Sequence, residues 1–271
     1  MKKLKLKEGN DIPIIGFGTW LLKRDDCRRS VETALEVGYR HIDTADAYGN
    51  HEEVAKAIRN SGLKREELFI TSKVWRSELT KDLALYAGER FLDELDTEYL
   101  DLLLVHWPNK DVPIGETLSA LAQLKEKGIT KSIGVSNFTT KHIEDVLKTN
   151  NDISVNQVEF HPSLNQEALR KYCDENGIVL TAYSPNAQGE DFRLDVVKKL
   201  ASKYSKIESQ VVLNWIINKD IVAIPRSSNP KHIKENFDSW DWEMEVDDYK
   251  ALDDLNTGNR LVNPSLNEFD L

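Results

Sequence analysis

Four side chains able to hold or move a proton fall at or just beyond the ends of strand-like runs in the first 106 residues: Asp43, Tyr48, Lys73 and His106. Asp43, Lys73 and His106 close the strand-like runs 39–43, 68–73 and 100–106, and Tyr48 lies in the loop after the first of these. A phenol beside an ammonium can deliver a proton to an oxygen that gathers negative charge. Free tyrosine, with a pKa of about 10, is a reluctant donor near neutrality. The Lys73 ammonium is expected to favour tyrosinate and so lower that value. Asp43 would keep Lys73 charged, because a buried ammonium without a partner tends to lose its proton. A neutral His106 could donate a hydrogen bond to a substrate oxygen. Taken singly each residue has a plainer reading, since a strand-end aspartate often caps a helix and a lone lysine is often a surface charge.

The elements that must position these groups alternate along the chain. A hairpin is expected first, with strands over 3–6 and 12–15 turned at Gly9-Asn10. Strand-like runs follow at 16–20, 39–43, 68–73, 100–106, 129–134, 155–159, 179–183 and 221–224. Leu102-Leu103-Leu104-Val105 is continuously apolar, as a parallel strand covered on both faces should be. Amphipathic helices are expected near 25–37, 51–60, 80–95, 114–127, 140–148, 165–176, 193–203 and 208–218. Gly38, Gly128 and Gly177 each end a helix before a strand. Eight βα units favour a closed barrel, although an open doubly wound sheet produces similar local patterns. Gly16-Phe17-Gly18 lacks the third glycine of a dinucleotide-binding turn, which weighs against the open sheet. In a barrel the strand ends and the loops after them form the active site, so the four groups would share one rim.

The 271 residues suit a single α/β barrel, read here as one domain over 1–271. A net charge of -10 argues against a surface for nucleic acid or anionic lipid. No apolar run approaches the roughly 18 residues of a membrane helix, and the lysine-rich start has no following signal-like core. Two distant cysteines, Cys27 and Cys173, suggest neither a disulfide framework nor a metal knuckle, and a reducing cytoplasm is expected. His41, His51, His142 and His161 lack metal-ligand spacing and read as structural.

Together these segments resemble the aldo-keto reductase family, in its compact microbial form. The resemblance is carried by Gly16-Phe17-Gly18-Thr19-Trp20, the stretch from Gly38 to Asn50, Ile133 to Phe138, Asn156-Gln157, Ala182 to Pro185, and Ile224 to Ser227 with Glu235-Asn236. It implies a (β/α)8 TIM barrel whose N-terminal β-hairpin closes the bottom, and a catalytic tetrad of Asp43, Tyr48, Lys73 and His106. It further implies a nicotinamide cofactor stacked on Tyr183, with Ser136, Asn137 and Gln157 on its carboxamide. Thr19, Trp20 and Asp43 would border the same region, Ser184 and Pro185 would lie by the pyrophosphate, and Arg226, Ser227, Ser228, His232, Glu235 and Asn236 would hold the adenosine end. His232 stands where the family has arginine, so NADPH is favoured with NADH use open. His51 and Ala55, where glutamate and glycine are usual, are expected to affect packing alone.

Trp20, Trp75 and Trp107 would line the substrate pocket with Tyr48 and His106. The short tail after Gly258 suggests an open, permissive site for small aldehydes, ketoacids or sugars. The expected partner is a small carbonyl substrate, and the expected state a monomer or weak homodimer. Two other readings stand beside this one: a non-enzymatic, redox-sensing subunit that holds the cofactor, and a barrel hydrolase using Asp43 and Glu159.

Overall fold

Eight parallel strands curl around a core filled by their own inward side chains in the computed structural model, which describes residues 1–149 and 152–270. A two-stranded antiparallel hairpin, β1 (Lys3–Lys5) and β2 (Asp11–Pro13), precedes them, with Leu4 opposite Ile12. Leu6 and Ile12 of this hairpin pack into the barrel interior against Phe69, Leu102, Leu104, Val155 and Val222, so the hairpin plugs the end away from the strand tips.

The barrel strands are β3 (Phe17–Gly18), β4 (His41–Asp43), β5 (Phe69–Val74), β6 (Leu100–Val105), β7 (Thr130–Ser136), β8 (Val155–Glu159), β9 (Val179–Tyr183) and β10 (Val222–Ala223). Each pairs with its sequence neighbour. The two ends then meet: Gly16 donates to the Ala223 carbonyl at 2.8 Å, Ala223 to Ile14 at 2.9 Å, and Gly18 to Pro225 at 3.1 Å. These bonds close the cylinder. The glycines of the Gly-Phe-Gly opening serve this seam, because a Cβ on Gly16 would lie 2.5 Å from the His41 ring and one on Gly18 2.9 Å from the Ile224 carbonyl oxygen.

Helices wrap the outside: α1 (Arg24–Val37), α2 (His51–Ser61), α3 (Lys81–Leu95), α4 (Ile114–Glu126), α5 (Thr140–Leu147), α6 (Glu167–Glu175), α7 (Asp195–Tyr204) and α8 (Glu208–Asn218) fall within a few residues of their expected positions. Two more follow β10, α9 (Pro230–Phe237) and α10 (Val246–Asp253). Gly38, at φ 124°, ends α1 with its N–H on the Ala34 carbonyl, a conformation that L side chains resist. The second large cluster, including Phe91, Leu121, Phe160 and Trp215, fills the space between sheet and helices. No helix among the described residues is long and apolar enough to cross a membrane.

Candidate active site

A cavity of about 1460 Å³ opens at the C-terminal end of the barrel. Every strand contributes to its wall, seven at or just past the last residue, through Gly18, Asp43, Trp75, His106, Ser136, Tyr183 and Ile224, and β8 through its middle residue Gln157. Parallel strands carry their polar tips to one rim because each crossover helix returns the chain to the other end.

The four proton-handling groups converge there. Lys73, fully buried behind the wall, reaches Asp43 Oδ1 at 2.6 Å, the Thr44 carbonyl at 2.9 Å and Tyr48 Oη at 3.3 Å. Gln157 donates to the second Asp43 oxygen at 2.7 Å. Burial pushes the Asp43 carboxyl up and the Lys73 ammonium down, and the bonds between them oppose both shifts. The adjacent turn is held by Asn50, whose amide bridges the carbonyls of Thr19 and Leu22 at 3.0 Å while its oxygen accepts from Thr44 at 2.7 Å.

Tyr48 corrects one expectation. Desolvation, with the Asp43 charge behind it, pushes the phenol well above its ordinary value instead of lowering it. Loss of water around the phenol is the larger cause, and the Asp43 carboxylate, itself bonded to Lys73 at 2.6 Å, adds to it. Tyr48 is therefore held protonated, and its oxygen accepts a hydrogen bond from Lys73 at 3.3 Å.

His106 lies edge-on to Tyr48, with ring centroids 5.6 Å apart, and edge-on to Trp75 at 5.1 Å. Burial, aided by the Lys73 charge, holds its pKa well below 6.5, so the ring is neutral. Its Nδ1 is buried without a partner. The three tryptophans line the cavity in different ways: Trp107 is 5% exposed, Trp75 is half-buried and Trp20 is 41% exposed at the rim.

The residues expected around a dinucleotide line the same cavity, from Thr19 through Ser136, Asn137, Gln157, Tyr183, Ser184 and Pro185 to Arg226, Ser227, His232, Glu235 and Asn236. Tyr183 Oη donates to Asn137 Oδ1 at 2.7 Å, Asn137 Nδ2 to the His106 carbonyl at 2.9 Å, and Ser136 Oγ to the Gln157 carbonyl at 2.8 Å. This mesh orients the Tyr183 ring. Asn137 (φ 66°) and Ser184 (φ 44°) adopt left-handed conformations, the kind of local strain that concentrates at functional positions. Ser228 is a correction, because it faces a shallow groove with Asp26, Arg29 and Pro230 on the far side of the α9 N-terminus. There Ser227 Oγ accepts from the Asn229 N–H at 3.0 Å and Asn229 caps Lys231 at 2.9 Å, which turns residue 228 outward. The cavity exceeds the roughly 300–1,000 Å³ of ordinary small-ligand pockets, so the residues present fit a dinucleotide together with a small substrate.

The tail is a third correction. Leu261, Val262, Asn263, Pro264 and Leu266 form part of the wall, so the mouth is partly covered where the short tail had suggested an open site. Phe269 packs on Trp107 with ring centroids 5.7 Å apart, and Glu268 binds Arg76 at 3.0 Å and the Lys110 N–H at 3.0 Å. No sequence periodicity marks these residues. The hydrolase reading fails on position: Glu159 is fully buried, does not line the cavity, and accepts from the Leu261 and Val262 N–H groups at 2.8 and 2.9 Å. The histidines set aside as structural are bonded internally, for example His41 to Thr71 at 3.0 Å and His51 to Glu94 and Ser72 at 2.6 and 2.9 Å.

The sequence model of the aldo/keto reductase family matches residues 14–190 and 192–257. The chain is 42% identical over 268 residues to a glyoxal reductase of Bacillus subtilis, covering 98% of this chain and 96% of the relative. It is 37% identical over 262 residues to a methylglyoxal reductase of Escherichia coli, covering 95% and 94%. Among solved structures, an aldo-keto reductase from a Medee basin deep-sea metagenome library superposes with a TM-score of 0.94 at 39% identity, covering 96% of this chain and 97% of that one. The barrel thus agrees with these relatives: the chain belongs to the aldo/keto reductase family, and its chemistry is that of an oxidoreductase acting on carbonyl groups.

Proposed function

We propose that this chain, acting as a single domain, reduces small neutral aldehydes and ketones, 2-oxoaldehydes above all, with Tyr48 as general acid and NADPH as the preferred cofactor. The observation that carries the reading is Lys73 Nζ at 3.3 Å from Tyr48 Oη, with that phenol lining a cavity large enough for dinucleotide and substrate together. When bound, the nicotinamide supplies the hydride. The protein supplies the rest. Tyr48 gives its proton to the carbonyl oxygen, Lys73 stabilises the tyrosinate left behind, and Asp43 keeps Lys73 oriented. His106, neutral, directs a ring N–H toward the substrate oxygen and keeps that oxygen against Tyr48.

The substrate class follows from what surrounds Tyr48. Trp20, Trp75, Trp107, Leu261, Val262 and Leu266 are uncharged, and Asp43 is already paired with Lys73. The cations of the wall, Arg226 and Lys231, belong to the segment after β10. A ketoacid carboxylate would therefore lose its hydration beside Tyr48 without gaining a partner. The glyoxal and methylglyoxal reductases among the relatives support the same choice. Arg226 supports NADPH, because guanidinium pairs well with a 2′-phosphate, while His232 in place of arginine leaves room for NADH.

Steady-state reduction of methylglyoxal with each cofactor, in wild type and Tyr48→Phe, tests the reading. Wild type should turn over faster with NADPH at limiting cofactor. Tyr48→Phe should bind NADPH within about twofold and lose at least about 10²-fold in kcat. Retained turnover would remove Tyr48 from the proton step. Slow turnover by wild type with tightly retained cofactor would mark a cofactor-holding subunit instead.

A further inference from the structure

Two segments cover the cavity, and one buried histidine touches the carboxylates that anchor both. The tail supplies Leu261, Val262 and Leu266 to the wall and then runs against Trp107 and Arg76, which follow His106 and Lys73 in the chain. The segment after β9 supplies Gln188 and Phe192. Glu159, the last residue of β8, grips the tail through the N–H groups of Leu261 and Val262, at 2.8 and 2.9 Å. Asp191 grips the β8–α6 connection, accepting from Ser163 Oγ at 2.6 Å and Ser163 N–H at 3.2 Å. The Ser163 carbonyl in turn accepts from Thr257 and Asn259, at 3.1 and 3.0 Å, where the tail begins.

His161 lies between them. Its Nε2 is 3.0 Å from Glu159 Oε1, and its Nδ1 is 3.3 Å from Asp191 Oδ2 and 3.0 Å from Ser163 Oγ. All three side chains are at most 2% exposed. Two carboxylates with a ring nitrogen each favour an imidazolium that donates to both sides. Such a buried cluster is a poor device for stability alone, because apolar packing of the same volume commonly does as well. What it adds is direction, since each bond fixes one covering segment against the other.

We propose that Glu159, His161 and Asp191 form a positioning unit in which His161 couples the tail to the segment 186–193, so that both covers hold one geometry over bound substrate and cofactor. The unit does not touch the reacting atoms. It sets substrate affinity through the wall residues 261–266, and it rests on the reading of the Tyr48 cavity as the reductase site.

The test uses the full-length protein with two readouts, one of which is independent of activity. Glu159→Gln should raise the KM for methylglyoxal about tenfold or more while kcat at saturation stays within about twofold, because the tail is displaced but Tyr48 and Lys73 are not. Amide hydrogen exchange at Leu261 and Val262 should accelerate. Asp191→Asn should also accelerate exchange at Leu261 and Val262, although Asp191 bonds to neither, and Glu159→Gln combined with Asp191→Asn should show less than the sum of the single effects. Unchanged exchange at 261 and 262 in Asp191→Asn overturns the coupling, as does a kcat loss without a KM change in Glu159→Gln. If Glu159→Gln fails to fold, the Asp191→Asn exchange result decides by itself. If wild type reduces no aldehyde, the reductase reading fails, while the exchange data still judge the coupling.

Discussion

At the scale of single residues, the site depends on how two buried ions and a half-buried phenol share two charges. Lys73 bonds both Asp43 and Tyr48, and the shorter contact, at 2.6 Å, is the one between the ions. Desolvation first, and the Asp43 charge second, decide the sign at Tyr48. Asp43, Lys73 and His106 were legible from strand-end positions and Tyr48 from the loop beyond the first, and all four meet. The direction of the phenol's shift was not legible, because it depends on desolvation and on the relative distances of two opposite charges from one oxygen. Lys73→Met should leave Asp43 buried and ionised beside Gln157 alone, lowering unfolding stability by about 3–5 kcal/mol in urea titrations. Adding Asp43→Asn should restore most of that stability while turnover stays abolished. A single Lys73→Met variant as stable as wild type would show that the pair is not ionised in the native state.

At the scale of elements, the strands and the first eight helices followed from alternation of apolar runs, glycine stops and amphipathic stretches. Helices α9 and α10 and the tail did not. The tail has no periodic apolar face, and its order comes from carboxylates more than 100 residues away in sequence, as with Glu159 and Val262. Its hold should depend on pH. Burial alone would push His161 down, but hydrogen bonds to Asp191 and Glu159 outweigh it and hold the pKa above 6.5. Burial likewise opposes ionisation of Glu159 and Asp191, yet their bonds to His161, to Leu261 and Val262, and to Ser163 hold both carboxyls below their ordinary values. A raised histidine stabilises fully below its unfolded value and is lost as pH rises through its folded one. A lowered carboxylate stabilises above its unfolded value and is lost as pH falls through its folded one. The tail should therefore be held best between about pH 4.5 and 6.5, loosening on both sides. Exchange protection of Leu261 and Val262, corrected for intrinsic rates, should trace this window in wild type and lose its alkaline limb in His161→Gln. A protection profile flat across neutral and alkaline pH would rule out a charged His161.

At the scale of the whole molecule, closure of the barrel joins the two ends of the site. The seam between Gly16-Phe17-Gly18 and residues 223–225 brings Thr19 and Trp20 beside Arg226 and Ser227. These residues are more than 200 positions apart in the chain. Gly18→Ala would place a Cβ 2.9 Å from the Ile224 carbonyl oxygen, a backbone atom that cannot move aside without shifting the strand. The expected cost is about 1–3 kcal/mol in unfolding free energy, with a raised Kd for NADPH because Arg226 moves with the seam. Differential scanning calorimetry and cofactor fluorescence titration measure the two, and wild-type values of both would mean that the seam is looser than described.

The order of residues alone determined the barrel and put Asp43, Lys73 and His106 at strand ends, because hydrophobic period and strand-end placement are local properties that the chain carries in itself. Only the folded molecule decided which groups lose water and which distant segments meet. It turned Ser228 away, made the phenol a firmly protonated donor, and drew the tail over the mouth through Glu159. Desolvation and contact between remote parts of a chain are sums over three-dimensional neighbours, and no spacing along one dimension contains them.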